Sequence, residues 1–230
     1  MEKQRYLESS LRLAEEMTER IKNDETLIYN AITLSRYDNY TYTHSMNVDI
    51  LATAVGLELH LTDKDLNHLS QAALLHDIGK VCIAKDIILK KGKLTEEEYT
   101  EVKKHAAFGY HILKDEGVPL CVCDAVHAHH ENEDGSGYPR GLTGGEIPLY
   151  GKVIHVVDVY DALVSKRPYK DAMEPKKAMQ ILQNEVYTSF DKYIVDILSG
   201  YVKEYSVATA YPNFSKPLDN MHMYMYNENK

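Results

Sequence analysis

The stretch QAALLHDIGK, residues 71–80, decides the fold, because it places a histidine and an aspartate at the end of an apolar helix. A buried ionised carboxylate is costly unless it is paired or bound to a metal. Successive helical side chains point about 100 degrees apart, so His76 and Asp77 reach one centre only at a helix end. Two metals bridged by the aspartate fit this arrangement. Gly79 marks a helix end and Lys80 suits a phosphate site.

The rest of the chain also predicts helices, and the fold class is all-α. Apolar residues recur every three or four positions between charged ones, without an extended strand alternation. Predicted helices cover 7–32, 41–59, 62–79, 95–115, 119–130, 147–163, a segment beginning at 174–175, and 191–202. The apolar stripe of the first helix either packs against the core of its own chain or forms a dimer seam. Thr18 and Glu25 interrupt the seam, which favours packing against the chain's own core.

Composition excludes some classes of function. The 230 residues carry a formal net charge of −9 with a pI near 5.6, so nonspecific binding of nucleic-acid polymers is disfavoured. Three cysteines without framework spacing argue against a disulfide scaffold. The sequence shows no apolar run of membrane-spanning length and no signal peptide, so the expected location is the cytoplasm.

Further histidines and one acid need an explanation. His44 and His105 lie among apolar residues, where a lone histidine is more often a satisfied core residue than a ligand. The adjacent pair His129 and His130 is rarer. Asp158 lies in VIHVVDVYDALV, where a carboxylate needs a compensating charge. The alternative to metal ligation is a buried salt bridge from Asp158 to Arg167 or Lys152, while Asp161 is a candidate helix–helix partner.

Together these side chains predict a metal centre. Imidazole and carboxylate ligands suit iron, manganese or zinc rather than calcium or magnesium. The set exceeds what one tetrahedral zinc takes, so two metals are the natural reading. Such sites recur in phosphate-ester hydrolysis. The set comprises His44, His76, Asp77, His105, His129, His130 and Asp158. Arg167 and Lys170 in SKRPYK are either solvated cations or phosphate clamps.

These residues together resemble the HD-GYP family, a branch of the HD metal-dependent phosphohydrolases. The resemblance covers roughly residues 30–205. It is carried by YTYTH (40–44), HDIGK (76–80), the KKH around His105, HHENEDGSGYPRGL (129–142) and VVDVYDALVSKRPYK (156–170). It divides the chain into an amphipathic helix over 1–35, a catalytic domain over 36–205 and an irregular tail over 206–230.

The resemblance implies a helical HD core with additional C-terminal helices carrying the GYP motif. It implies hydrolysis of cyclic di-GMP to linear pGpG, and in some members on to GMP. The implied metal ligands are the seven side chains above, with Asp77 bridging the metals as a catalytic residue. Lys80 would contact the scissile phosphate, and the implied substrate-binding residues are Lys80, Arg167, Lys170 and Tyr138. The motif loop comprises Glu131, which is expected to orient a histidine ring, and Asp134, Gly135, Gly137, Tyr138 and Pro139.

Some relatives hold a third iron with a glutamate four residues before the first histidine, where this chain has Tyr40. We therefore expect two divalent transition-metal ions, iron or manganese, with zinc, nickel or cobalt as alternatives. In the implied mechanism, a hydroxide bridging the metals attacks phosphorus. The expected partners are the cyclic dinucleotide, a diguanylate cyclase of the GGDEF type at the GYP loop, and a second copy of the chain. Alternatives are cyclic GMP-AMP hydrolysis, a non-catalytic dinucleotide receptor and a nucleotidase acting on mononucleotides.

Overall fold

The computed structural model describes residues 2–23, 40–165 and 171–210, and these residues are almost entirely helical. The α-helices in chain order are α1 (Glu2–Asn23), α2 (Tyr40–Glu58), α3 (Asp63–Leu75), α4 (Lys85–Ile88), α5 (Glu96–Lys103), α6 (His105–Asp115), α7 (Leu120–Ala128), α8 (Leu149–Val164), α9 (Pro175–Asn184) and α10 (Lys192–Ala210). Two 3-10 helices cover Ile78–Cys82 and Gly144–Glu146. Only isolated β-bridges occur in this part of the chain, so the all-α prediction is confirmed.

The helix boundaries differ from the predictions at several places: α1 begins at Glu2 instead of at residue 7, and α3 ends at Leu75 instead of near Gly79. The helix predicted over 95–115 is divided at Lys104 into α5 and α6. The short α4 has no counterpart among the predicted helices. Helix α10 continues to Ala210, beyond the predicted end near 202 and into the predicted irregular tail. The remainder of that tail and the proposed boundary near residue 35 lie outside the described residues.

The core is formed by α2, α3, α7 and α8, which pack against one another in the middle of the molecule. Helix α6 covers α7 and the first 3-10 helix, while α9 and α10 pack against α8. Helix α8 is buried along most of its length, as its apolar sequence predicts. The helices that carry the candidate ligands therefore meet in the most enclosed part of the fold.

Helix α1 packs against α2 and α3. Its apolar stripe is buried in the same core as those helices, and its buried members are Leu7, Ala14, Met17 and Ile21. Thr18, which interrupts the heptad pattern, donates its hydroxyl proton to the Ala14 carbonyl at 2.8 Å. The described part of this helix thus follows the reading in which it packs on its own core. Among the described residues, no helix is both long and apolar enough to cross a bilayer.

One buried carboxylate lies in this core outside the predicted metal centre. Asp49 on α2 is fully buried, and its Oδ1 accepts a hydrogen bond from Thr53 at 3.4 Å. Its Oδ2 has no hydrogen-bond partner among the described residues. Burial raises the pKa of Asp49 to about 7, because desolvation disfavours the charged form.

Close backbone contact between the first 3-10 helix and α6 requires glycine at position 79. A Cβ at this position would lie 1.9 Å from the His105 carbonyl oxygen and 2.5 Å from the Gly109 nitrogen. We expect Gly79→Ala to lower the free energy of unfolding by about 1–3 kcal/mol, since backbone cannot yield as a side chain does. Gly200→Ala is the control, because nothing lies within 4 Å of its Cβ inside α10. Urea unfolding should show that the free energy of unfolding of the control is unchanged or raised.

The charge state of Asp49 should make stability depend on pH. A carboxyl whose pKa is raised on folding binds more protons in the folded state, so this contribution to stability falls as pH rises from about 4 to 7. We expect Asp49→Asn to stabilise the protein at pH 8 by about 1–3 kcal/mol, with less gain at pH 5. Urea unfolding at both pH values tests this. An equal effect at both would contradict a titrating Asp49.

Candidate metal centre

His76 and Asp77 stand at the end of α3, as predicted. Thr62 caps the start of this helix by accepting a hydrogen bond from the Asp65 amide at 3.2 Å. His76 is the C-terminal cap, and the backbone turns into the 3-10 helix at Asp77. The turn brings the two side chains together, with His76 Nε2 3.5 Å from Asp77 Oδ2.

Three buried histidines are oriented by the same local contact. In each, Nδ1 lies within hydrogen-bonding distance of the backbone carbonyl three residues earlier. They are His76, His105 and His129, bonded to Ala73, Val102 and Val126 at 2.7, 2.7 and 2.6 Å. A carbonyl oxygen only accepts, so Nδ1 carries the proton and Nε2 is left with a free lone pair. The histidines are thus held in the tautomer that a metal ligand requires.

The free Nε2 atoms converge with the carboxylates. His105 Nε2 lies 3.2 Å from His129 Nε2 and 3.4 Å from Asp77 Oδ1. His44 Nε2 lies 3.1 Å from Asp158 Oδ1. Two unprotonated ring nitrogens at 3.2 Å cannot donate to each other, so this contact lacks a proton and fits a shared cation. His76 Nε2 is buried with no hydrogen-bond partner among the described residues.

The ligand atoms form two groups, and Asp77 belongs to one of them and contacts the other. One group contains His105, His129 and His130, and the other contains His44, His76 and Asp77. Within each group the ligand atoms lie within 4.8 Å of one another. Asp77 directs Oδ2 towards the second group and Oδ1 towards His105 of the first. Each of the two groups could hold a metal ion, and the Asp77 carboxylate lies between the groups.

The histidines of the centre differ in the direction of their pKa shifts. Burial lowers the pKa of His130 to about 3 and holds that of His129 well below its ordinary value. For His44, burial also favours the neutral ring, but hydrogen bonds to Asp158 and Asp161 outweigh it and raise the pKa to about 9. Burial likewise opposes ionisation of Asp77, yet the charges of His76 and Lys80 lower its pKa. The site therefore holds ionised carboxylates among mostly neutral imidazoles.

Asp158 does not form the alternative salt bridge to Lys152. That lysine instead contacts Glu133 at 2.9 Å and Asp191 at 3.3 Å. The other proposed partner, Arg167, lies outside the described residues, as does Lys170. The predicted role of these two cations at the phosphates therefore stays a prediction.

Asp161 is a buried residue that supports the centre. It is fully buried on α8 and contacts His44 Nδ1 at 2.7 Å. It also accepts hydrogen bonds from Asn47 at 2.9 Å and from Ser165 at 3.0 Å. Asp161 thereby joins α2 to α8, consistent with the helix–helix partner considered from the sequence. Because it fixes Nδ1, the opposite nitrogen of His44 faces Asp158.

Glu131 has a different role from the one expected. It is buried and accepts hydrogen bonds from the backbone amides of Arg140 at 2.7 Å and Leu142 at 2.9 Å. Its hydrogen bonds join it to the backbone of the GYP loop and not to a histidine ring, so it organises that loop. The loop's other end is fixed by the Asp134 amide, which donates to the Thr188 carbonyl at 2.9 Å.

The GYP loop lies between α7 and α8, ahead of the C-terminal helices, and closes tightly on itself. A Cβ at Gly137 would lie 2.3 Å from the Asn132 nitrogen. The Tyr138 amide donates to the His130 carbonyl at 3.0 Å, and the Tyr138–Pro139 peptide is cis. The Tyr138 ring stacks on that of His130, with centroids 4.7 Å apart. Gly135 adopts a left-handed backbone at φ +82, which suits glycine.

Lys80 lies beside the carboxylate that joins the two groups. Its Nζ is 2.5 Å from Asp77 Oδ2, and its side chain is 41% exposed. It thus combines a contact inside the centre with access from outside.

Sequence reasoning missed two side chains near the centre. His155 is buried on α8, one turn before Asp158, and its Nε2 lies 3.1 Å from Asn132 Oδ1. Lys103 on α5 places Nζ 5.4 Å from the Tyr138 ring centroid. The one-turn spacing from Asp158 was a usable signal for His155. Lys103 offered none, since lysines on an exposed helix are common.

Comparison with known proteins places the chain in a family. The HD domain family model matches residues 5–194. The chain is 40% identical over 152 residues to the 3'3'-cGAMP-specific phosphodiesterase 3 of Vibrio cholerae, covering 66% of this chain and 33% of that protein. It is 38% identical over 199 residues to the cyclic di-GMP phosphodiesterase response regulator RpfG of Xanthomonas campestris, covering 85% and 53% respectively. The chain thus spans a third to about half of these relatives.

Solved structures share the fold. Bd1817, an HDGYP protein from Bdellovibrio bacteriovorus, superposes with a TM-score of 0.71 at 18% identity, covering 87% of this chain and 64% of that one. The cyclic GMP-AMP phosphodiesterase V-cGAP3 of V. cholerae gives 0.59 at 16% identity, covering 85% and 50%. With a family model that matches most of its length, the chain belongs to the HD domain family, and its resemblance to the HD-GYP branch is confirmed.

Proposed function

We propose that this chain is a metal-dependent phosphodiesterase that opens the ring of cyclic di-GMP to give linear pGpG. The observation that carries the proposal is the convergence of histidine Nε2 atoms and carboxylates with Nδ1 already bonded elsewhere. Relatives named as phosphodiesterases of cyclic di-GMP and of 3'3'-cGAMP support a cyclic dinucleotide as the substrate.

The residues proposed to hold two metal ions are His44, His76, Asp77, His105, His129, His130 and Asp158. Iron or manganese suits this mixture of imidazole and carboxylate. Bound divalent ions of this kind activate a water molecule for attack on phosphorus and neutralise phosphate charge. Asp77 is proposed to bridge the ions, since its two oxygens face the two ligand groups.

The chain's own side chains complete the site around the metals. Lys80 holds its ammonium next to Asp77 and is partly exposed, so it is placed to neutralise a phosphate oxygen as negative charge develops. Asp161 keeps His44 in one tautomer through Nδ1. Tyr138 covers one side of His130. Arg167 and Lys170 are proposed to hold the ligand's phosphates, as the resemblance implies.

A second candidate substrate is 3'3'-cGAMP, favoured by the 40% identity to a phosphodiesterase specific for it. The ligand cluster does not distinguish the two dinucleotides, because it would act on a phosphodiester that both contain. Contact between the GYP loop and a diguanylate cyclase remains part of the proposal, and Pro139 and Arg140 are exposed on that loop. Dimerisation through α1 is the less favoured alternative.

The decisive experiment is anaerobic purification, metal analysis and a product assay with both cyclic dinucleotides and a mononucleotide. About two transition-metal ions per chain and conversion of cyclic di-GMP to pGpG are expected. Cleavage of 3'3'-cGAMP alone would move the substrate assignment to that dinucleotide. Metal-loaded protein that binds a dinucleotide without turnover would indicate a receptor, and turnover of the mononucleotide alone would indicate a nucleotidase.

Asp77→Asn should separate catalysis from folding. The substitution keeps the size of the side chain but removes the charge between the two ligand groups. We expect turnover of cyclic di-GMP to fall by more than the roughly 10- to 100-fold loss typical of removing an outer partner of a ligand. Circular dichroism should remain helical. Asp196→Asn, which changes an exposed acid on α10 paired with Lys192, is the matched control and should retain activity.

Asp161→Asn should weaken metal binding without removing a ligand. An amide cannot accept from His44, Asn47 and Ser165 together as the carboxylate does. We expect metal affinity, measured by competition with a chelator, to fall by roughly 10- to 100-fold. Ser165→Ala removes one donor and leaves the contact to His44, so its effect should be smaller. Unchanged affinity in Asp161→Asn would exclude the positioning role.

A further inference from the structure

A shallow surface cavity of about 380 Å³, wide open to solvent, lies at the start of α5. Its lining residues are Lys93, Leu94, Thr95, Glu96 and Tyr99. Tyr99 is 48% exposed, so its ring is accessible from solvent instead of packed in the core. The cavity therefore offers an aromatic surface next to one acidic and one basic side chain.

A chain of contacts links this cavity to the metal centre. Lys103 lies one turn after Tyr99 on α5, and its Nζ is 4.6 Å from the Tyr99 ring centroid. The same ammonium is 5.4 Å from the centroid of Tyr138, which stacks on His130. The Tyr99 ring thus lies on the far side of Lys103 from the Tyr138 ring, which contacts the centre at His130.

A cyclic dinucleotide needs such a surface. When one phosphodiester lies at the metals, the attached ribose carries its base away from them. Four of the five imidazoles of the centre are buried, and Tyr138 stacks on the fifth, His130, so they offer no open face to a base. Stacking on an exposed aromatic ring strengthens the binding of a base, and an adjacent cation adds to it. Tyr99 is an exposed ring of this kind beside the centre.

We propose that the cavity at Tyr99 binds one guanine base of the cyclic dinucleotide. This inference rests on the proposed function. The base stacks on Tyr99, with Lys103 between that ring and the GYP loop. Guanine is the base that cyclic di-GMP and 3'3'-cGAMP share, so one guanine site serves either substrate.

The charges at the rim match guanine better than adenine. Guanine presents its O6 and N7 as acceptors and its N2 amine as a donor. Lys93 supplies an ammonium for the acceptors, and Glu96 supplies a carboxylate for the amine. Adenine places an amine where guanine has O6, so the ammonium of Lys93 would face a donor.

Tyr99→Ala tests the stacking. We expect the KM for cyclic di-GMP to rise about tenfold to a hundredfold with kcat little changed, because a contact remote from the reacting bond acts on substrate and transition state alike. Tyr99→Phe should behave like wild type. Tyr99→Leu, which keeps apolar bulk without a π face, should behave like Tyr99→Ala. Tyr193→Ala, at a similarly exposed tyrosine on α10, is the matched control.

Glu96→Gln tests the choice of base. We expect the ratio of kcat/KM for cyclic di-GMP over cyclic di-AMP to fall at least several-fold, while the neighbouring Glu97→Gln leaves the ratio unchanged. Direct binding to the catalytically silent Asp77→Asn protein, with and without Tyr99→Ala, gives a readout independent of turnover. The affinity should fall by the same factor as the KM rises.

Methyl p-nitrophenyl phosphate, a diester without a purine, separates this inference from the proposed function. Wild-type protein that cleaves this ester but no cyclic dinucleotide would overturn the proposed function and the guanine site with it. Wild-type protein that cleaves cyclic di-GMP, with an unchanged KM in Tyr99→Ala, would overturn the guanine site alone. Equal loss of both substrates in Tyr99→Ala would also overturn it, because the ring would then act on the centre and not on a base.

Discussion

The structure depends on one electrostatic constraint: two carboxylates, Asp77 and Asp158, are enclosed with histidines in the middle of a helical core. Ionised carboxylates in such a place are costly without a compensating positive charge. The described chain supplies part of this charge through His44 and Lys80. His76 Nε2 nevertheless has no hydrogen-bond partner among the described residues, and two unprotonated nitrogens face each other at 3.2 Å. Metal cations would satisfy all of these groups at once.

Three of the histidines reach the centre from the ends of helices. His76 caps α3, His105 begins α6 and His129 caps α7. At each position Nδ1–H donates a hydrogen bond to a backbone carbonyl of the preceding turn, so backbone geometry sets the tautomer. His44 lies within the span of α2 instead and uses the buried Asp161 for the same purpose. A helical fold thereby orients four imidazoles with little help from loops.

The GYP loop connects the centre to the surface. Glu131 holds the loop's backbone by two charge-assisted hydrogen bonds, and Tyr138 lies against His130. Lys103 approaches the same tyrosine from α5, which also carries Tyr99. Under the proposed function, the metal centre would act on a phosphate, while the loop and α5 would provide the surfaces for selection among dinucleotides. In the proposed function, chemistry and selectivity would therefore depend on different elements.

The sequence by itself determined the all-α class, most helix positions and the seven side chains that converge. These follow from local rules: apolar periodicity marks the helices, and a buried aspartate such as Asp158 signals a required cation. The division at Lys104, the contact of Asp161 with His44 and the loop role of Glu131 were decided only by tertiary structure. They depend on which backbone and side-chain groups meet across helices distant in sequence, such as Asp161 and His44, which are 117 residues apart. No periodic pattern encodes such a meeting, because the energy of a buried hydrogen bond depends on the packed geometry of both partners.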